Sequence, residues 1–336
     1  MRALLLVIVN AAIAAGLAIA DDAWRPASAQ GRASSGEACS FAVLRRDGVL
    51  VPFASYDGGR WLNRWPEPGR RLDIPISVDA SPKSWWLRDL PVSSWTAWPL
   101  QGESRVVRVR NPVNLTVQCE RHVGLQTDYS STAPPVPRDM QPHPKDGLAT
   151  SGDVAVDPVD LLTPASPDWA KVLEALKEPF AVSEAKVASK SPRYAEQDAQ
   201  RRGQFPLELE VLYRTPGTRP GTQVFYFEAV RRYSRKPPAS MIVTMVPDRR
   251  PLAYGAGWAE LSASGAVALR GTVTVELSDN EREDLLYVMP LGSFRLGGRR
   301  YWAVQRAGWG YERYEVLEIA EPETKLAFKT NGGTCR

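Results

Sequence analysis

Histidine is nearly missing from this chain. His122 and His143 are the two present in 336 residues, and His143 lies in a proline-rich stretch. Catalysis through imidazole, or a zinc site built from several imidazoles, is therefore poorly supplied. Also missing are the GxSxG elbow, the P-loop, the dinucleotide fingerprint, HExxH and any CxxC pair. No cofactor and no metal is expected. Neither charge sign is in large excess, with 42 Lys and Arg against 38 Asp and Glu and a net charge of +4. That balance gives no case for nucleic acid or an anionic membrane as partner.

Long apolar runs are also lacking, except at the start. Residues 1–20, "MRALLLVIVNAAIAAGLAIA", carry one arginine and then an apolar stretch broken by Asn10, the pattern of a secretory signal segment. Two small-x-small sites compete for cleavage, one after Ala20 and one after Ala29. The second is favoured because "DDAWRPASAQ" reads as a polar spacer, giving a signal peptide over residues 1–29 and an exported product, periplasmic or extracellular, with no transmembrane span after its removal. An uncleaved anchor is the alternative, since the run approaches the ~20 residues that cross a bilayer.

Cysteine is scarce too, at Cys39, Cys119 and Cys335. In an oxidising compartment one pair is expected to bridge. Cys39 with Cys119 is the favoured pair because they bracket a tryptophan-rich segment, which leaves Cys335 as a free thiol or an intermolecular link.

What is abundant is short alternation between turn residues. Residues 39–129 read as a β-domain with strands at "GVLVPF", at "LDIPISV" (Leu72, Ile74, Ile76 and Val78 on one face) and at "VNLTVQC". Residues 130–165 are rich in proline and polar residues and read as a linker. Residues 166–203 form a helical connector. Its clear helix is "SPDWAKVLEALKEPF", with Ser166 as cap, Pro167 at the first position and Pro179 as terminator; a weaker stretch follows at "YAEQDAQRR". Residues 204–336 alternate again. "FPLELEVLY" sets Phe205, Leu207, Leu209, Val211 and Tyr213 on one face, "QVFYFEAVRRY" is apolar on both faces and so central, and "MIVTMV", "AVALRGTVTVEL", "FRLGGRRYWAVQ" and "YEVLEI" continue the pattern. The fold class is mainly β: antiparallel sandwich or barrel domains with one or two short helices between them. "FASYDGGRW" and "FRLGGRRYW" echo each other as glycine-turned hairpins with aromatic arms.

Six of the eleven tryptophans, Trp61, Trp65, Trp85, Trp86, Trp95 and Trp98, fall within 38 residues. Each buries ~150–250 Å², so most serve a core. Trp85 and Trp86 are adjacent, however, and on a strand adjacent side chains face opposite ways, while "RWPEP" and "AWPL" read as loops. Two or three rings left at the surface would stack on sugars. The function expected is a non-catalytic binding or structural module for a glycan or cell-envelope component. A carbohydrate-active hydrolase is the alternative, since glycoside hydrolysis needs only two carboxylates; Asp73, Asp79 and Asp89, or the acids of "SDNERED", are its candidates. "SDNERED" fails the EF-hand pattern, and "SGDVAVDPVD" reads as linker. A surface module pairing with another protein, through β-edges or Cys335, is the third reading.

Overall fold

The computed structural model describes residues 38–69, 73–87, 90, 92–136, 143–190, 203–233, 252–278 and 285–335. Seven antiparallel strands come first: β1 (Cys39–Arg45), β2 (Val49–Asp57), β3 (Arg60–Leu62), β4 (Ser94–Pro99), β5 (Arg105–Val117), β6 (Glu120–Thr127) and β7 (Lys145–Ser151). They are joined in the order β1-β7-β4-β5-β6-β2-β3, and β1 also pairs with β2, so six of them close into a barrel with β3 hanging from β2. Closure removes the free edges that a sheet of this size would otherwise present. Ala42, Leu44, Leu50, Trp95, Ala97, Val107, Val123, Leu125 and Ala149, drawn from all six strands, form one apolar cluster inside. Ala149 stands opposite both Ala42 and Ala97, and this row of small side chains leaves room for the Trp95 indole in a narrow barrel.

Two short strands follow, β8 (Val156–Asp157) and β9 (Asp160–Leu161), then the helix α1 (Pro167–Ala188). Strands β10 (Glu208–Pro216), β11 (Gln223–Arg232), β12 (Leu252–Leu261) and β13 (Val267–Ser278) run as an antiparallel meander edged by β9, the outer sheet. A second meander, β14 (Tyr287–Leu296), β15 (Arg299–Gly308), β16 (Tyr311–Glu318) and β17 (Lys325–Thr334), is edged by β8 and forms the inner sheet. Alternation on β15 shows why the inner sheet is buried on both sides. Tyr301 and Ala303 pack with Phe41, Val43 and Phe53 of the barrel's outer surface. Trp302 and Val304 pack with Val224 and Tyr226 of the outer sheet. The outer sheet's other face meets Val172, Leu176, Phe180 and Ala188 of α1. A Cβ on Gly255 would lie 2.6 Å from the Phe180 ring, so glycine there is what admits the helix so close.

The antiparallel, mainly β expectation holds, and β11 is central as its two apolar faces imply. Several details differ. Lys145–Ser151, inside the stretch expected as linker, is a strand paired on both sides, with β1 and with β4. "LDIPISV" forms no strand over its described residues: Ile76 is 95% exposed, and Pro75 has no N–H for a ladder. Ser166 caps α1 as expected, its Oγ accepting from the Asp168 N–H, but Pro179 sits inside the helix rather than ending it. Burial of Phe180, Glu184 and Ala188 beyond the proline offsets the hydrogen bond it removes. On β10 a register shift between Leu209 and Val211 moves the apolar face, so Leu212 joins Leu209 in the helix-side cluster and Tyr213 turns to the inner sheet. "YAEQDAQRR", "MIVTMV", Asp89 and the acidic part of "SDNERED" lie outside the described residues.

The disulfide links Cys119 and Cys335, with Cα atoms 4.8 Å apart, not Cys39 and Cys119. The β5–β6 turn that carries Cys119 reaches the end of β17, where the Cys119 N–H donates to the Thr334 carbonyl. Cys39 is fully buried in the cluster between the barrel and the inner sheet. Cys335 is therefore neither a free thiol nor an intermolecular link. The two echoed hairpins pack on one another, with Trp61 centred 5.4 Å from Tyr301 and 6.3 Å from Phe294. Among the described residues no helix is long and apolar enough to cross a membrane.

Candidate functional site

The barrel is imperfectly sewn at one seam. Strand β2 pairs with β6 only at Val49 with Gln126 and Leu50 with Leu125. Continuing that register would set Pro52 opposite Val123, and proline cannot donate to a ladder. Residues 63–69 fill the gap instead. Gly69 and Arg121 exchange backbone hydrogen bonds of 3.1 and 2.9 Å, and Trp65 donates its indole N–H to the Val123 carbonyl at 2.8 Å. Trp65 is thus a structural wedge, 7% exposed, that satisfies a strand carbonyl beyond the reach of the β2 ladder.

The other five candidate tryptophans divide around this wedge. Trp85 closes the short 3-10 turn Lys83–Trp85, and Trp86 follows it. Because they sit on a turn rather than a strand, both reach Trp65, with ring centroids 5.0 and 5.2 Å from it and planes inclined by 60° and 68°. Both remain half-buried. Trp95 is inside the barrel at 2% exposure. Trp61 belongs to an aromatic nest with Phe41, Tyr56, Phe294, Tyr301 and Phe328. Trp98 stands apart on β4, its indole N–H donating to the Thr150 hydroxyl. The structure therefore gathers Trp65, Trp85, Trp86 and Trp95 and leaves Trp61 and Trp98 elsewhere.

Two small clefts, each with room for about one water molecule, meet at Trp65 and share Pro52 and Phe53 as walls. The first opens onto Trp85, Trp86 and Trp95, with Arg64 and the Ser40 and Ser55 hydroxyls. The second is completed by residues far away in sequence: His122 of β6, Tyr314 of β16, and Thr330 and Asn331 of β17. His122 is 3% exposed. Burial, aided by the positive Lys145 and Arg45 nearby, lowers its pKa to about 4 against a hydrogen bond to the Gly332 backbone that favours the charged ring. Its Nε2 has no hydrogen-bond partner among the described residues. Sequence reasoning passed over His122 because a lone histidine on a strand carries no signal of a wall that arrives two hundred residues later.

Among the described residues neither cleft is lined by an aspartate or glutamate. Asp73 and Asp79 are exposed, while Asp157 and Asp160 pair with Arg300 and Arg214 at 2.6 and 2.9 Å, which ties the short strands β8 and β9 down. No group of three His, Cys, Asp or Glu side chains among the described residues is placed to hold a metal ion. Among the described residues one large aromatic is bare: Trp309, 90% exposed, at the turn between β15 and β16. No protein-family model, no curated protein and no solved structure matches this chain.

Proposed function

We infer that the protein is an exported, non-catalytic binding module for a glycan or cell-envelope component, held where Trp85 and Trp86 flank Trp65. The observation that carries this reading is the pair of half-buried indoles propped edge-on against a buried third, beside a cleft that also offers Arg64 and two hydroxyls. A rigid aromatic face with polar groups at its rim suits a sugar ring, which has an apolar C–H face and peripheral hydroxyls. The intrachain disulfide supports an oxidising compartment, and with it export. Hydrolysis is the weaker reading because no carboxylate pair lines either cleft among the described residues.

Pull-down of the mature chain on insoluble polysaccharides and peptidoglycan, with tryptophan emission followed in parallel, tests the proposal. Binding that is lost in Trp85→Ala or Trp86→Ala variants that still fold supports it. Retained binding in both, or no binding to any of these polymers, removes it. The bare Trp309 favours a protein partner as the second reading. Its test is whether the protein's self-association or partner capture is lost in Trp309→Ser while polymer binding is unchanged.

A further inference from the structure

Arg64 precedes the wedge residue Trp65 and lines the cleft onto which Trp85 and Trp86 open, and no aspartate or glutamate lines that cleft among the described residues. The side chain is half-buried, with Nε enclosed and lacking a hydrogen-bond partner, and its guanidinium forms no ion pair among the described residues. Lys83, which opens the 3-10 turn that carries Trp85, is a second cation, fully exposed. The acids nearest in sequence are Glu67 and Asp79. Both are exposed, and Glu67 accepts from the Asn63 amide at 3.5 Å. A guanidinium partly withdrawn from water and set among indoles gains more from an anion than from a neutral hydroxyl, because charge-assisted hydrogen bonds are roughly twice as strong as neutral ones. Its planar fork of Nη groups matches the paired oxygens of a carboxylate or a phosphate. The cleft itself admits about one water molecule. A sugar therefore lies on the rim, across the outer faces of Trp85 and Trp86, and only its acid group reaches Arg64.

We propose that the face of Trp85 and Trp86 selects an acidic glycan, a polymer whose rings carry a carboxylate or a phosphate, with that group paired to the Nη fork of Arg64. The pairing adds the ligand's charge to the glycan reading of this face, on which it rests. Titration calorimetry of the mature protein compares each acidic polymer with its neutralised form: polygalacturonate, alginate and hyaluronate beside their methyl esters, and phosphomannan beside the dephosphorylated mannan. The rings within a pair are the same, so a difference in affinity reads the acid group alone. Arg60→Gln, at an exposed arginine of the neighbouring strand β3, controls for general charge.

At low salt at least one acidic polymer should bind at least about tenfold more tightly than its neutralised partner, and the margin should shrink as salt is added. The pair that shows it tells carboxylate from phosphate. Arg64→Gln should erase the margin, Arg64→Lys should keep part of it because the charge stays and the fork is lost, and Arg60→Gln should keep it whole. The acid preference is overturned if no acidic form outbinds its neutral partner, or if a folded Arg64→Gln retains the margin. Should Arg64→Gln fail to fold, an undiminished margin in Arg64→Lys overturns the pairing to the fork. Equal binding of both forms, lost in Trp85→Ala, keeps the aromatic face and sinks the acid preference alone. A margin that needs Arg64 but survives Trp85→Ala and Trp86→Ala keeps the acid site and sinks the aromatic face. No binding by any acidic form sinks the preference and leaves the glycan reading to the pull-down.

Discussion

Lys145 on β7 and Glu312 on β16 form an ion pair, Nζ to Oε1 2.9 Å, with both side chains almost wholly excluded from solvent where the barrel meets the inner sheet. Lys145 also donates to the His143 carbonyl at 2.8 Å, and the Tyr314 hydroxyl donates to Glu312. Burial draws the lysine below its usual range while the carboxylate beside it pulls the other way. Removing one member leaves the other buried without compensation, so Lys145→Met should cost about 3–5 kcal/mol in urea unfolding. The double variant Lys145→Met/Glu312→Leu should recover much of that loss. A single variant within about 0.5 kcal/mol of wild type, the range of an ordinary surface change, would show that the pair is not buried in this way.

The Cys119–Cys335 bond spans 216 residues of sequence and fastens the β5–β6 turn to the end of β17. In the chain-entropy picture closing so long a loop contributes about 5 kcal/mol. Cys119→Ser and Cys335→Ser should therefore lower the Tm alike, and each should abolish the mobility difference between reduced and non-reduced gels. Cys39→Ala should keep that difference. If it is Cys39→Ala that loses it, the pairing is wrong.

That pairing was beyond the reach of sequence because three cysteines fix no partner until the strands are placed. Alternation was enough to read β5 and the hairpin of β14 and β15, whose side chains face two distinct environments, and β11 was legible from apolar residues on both its faces. It failed at β7, where lysine, glycine and alanine carry no apolar period although nearly every residue is buried. It misled at "LDIPISV", where the period is present and no neighbouring strand receives it. Pro179 was read by local rule, and the rule lost to helix burial on the outer sheet. The site was half legible. Tryptophan density pointed to the cluster of Trp65, Trp85, Trp86 and Trp95, but density says nothing of a seam that opens at Pro52 or of a wall supplied by β16 and β17.

Trp65 and Trp95 allow the wedge to be tested against an internal control. Both are buried indoles of the same barrel cluster, yet Trp65 Nε1 donates to Val123 while Trp95 Nε1 has no partner among the described residues. Shrinking each to phenylalanine removes a similar volume, but only Trp65→Phe strips a hydrogen bond from a strand carbonyl. Trp65→Phe should be the more destabilising of the two by about 1–3 kcal/mol. Equal losses in denaturant titration would mean that the indole N–H contributes nothing to closing the seam. Trp65→Ala should cost about 3–5 kcal/mol, which makes it a poor probe of binding and leaves that task to Trp85 and Trp86.

His122 contributes to the acid limb of stability. Unfolded, its imidazole takes a proton below about pH 6.5. Folded, it declines one until about pH 4, chiefly because charging it inside the protein forfeits hydration. Between these values the unfolded state binds more protons than the folded one, so acidification favours unfolding, and about 3 kcal/mol is lost from pH 7 to pH 4 through this group. His143, also held below its ordinary pKa by burial, adds in the same direction. His122→Gln cannot take up that proton in either state, so its unfolding free energy should fall less steeply between pH 6.5 and pH 4.5 than that of the wild type. Parallel slopes would mean that His122 is protonated in the folded protein.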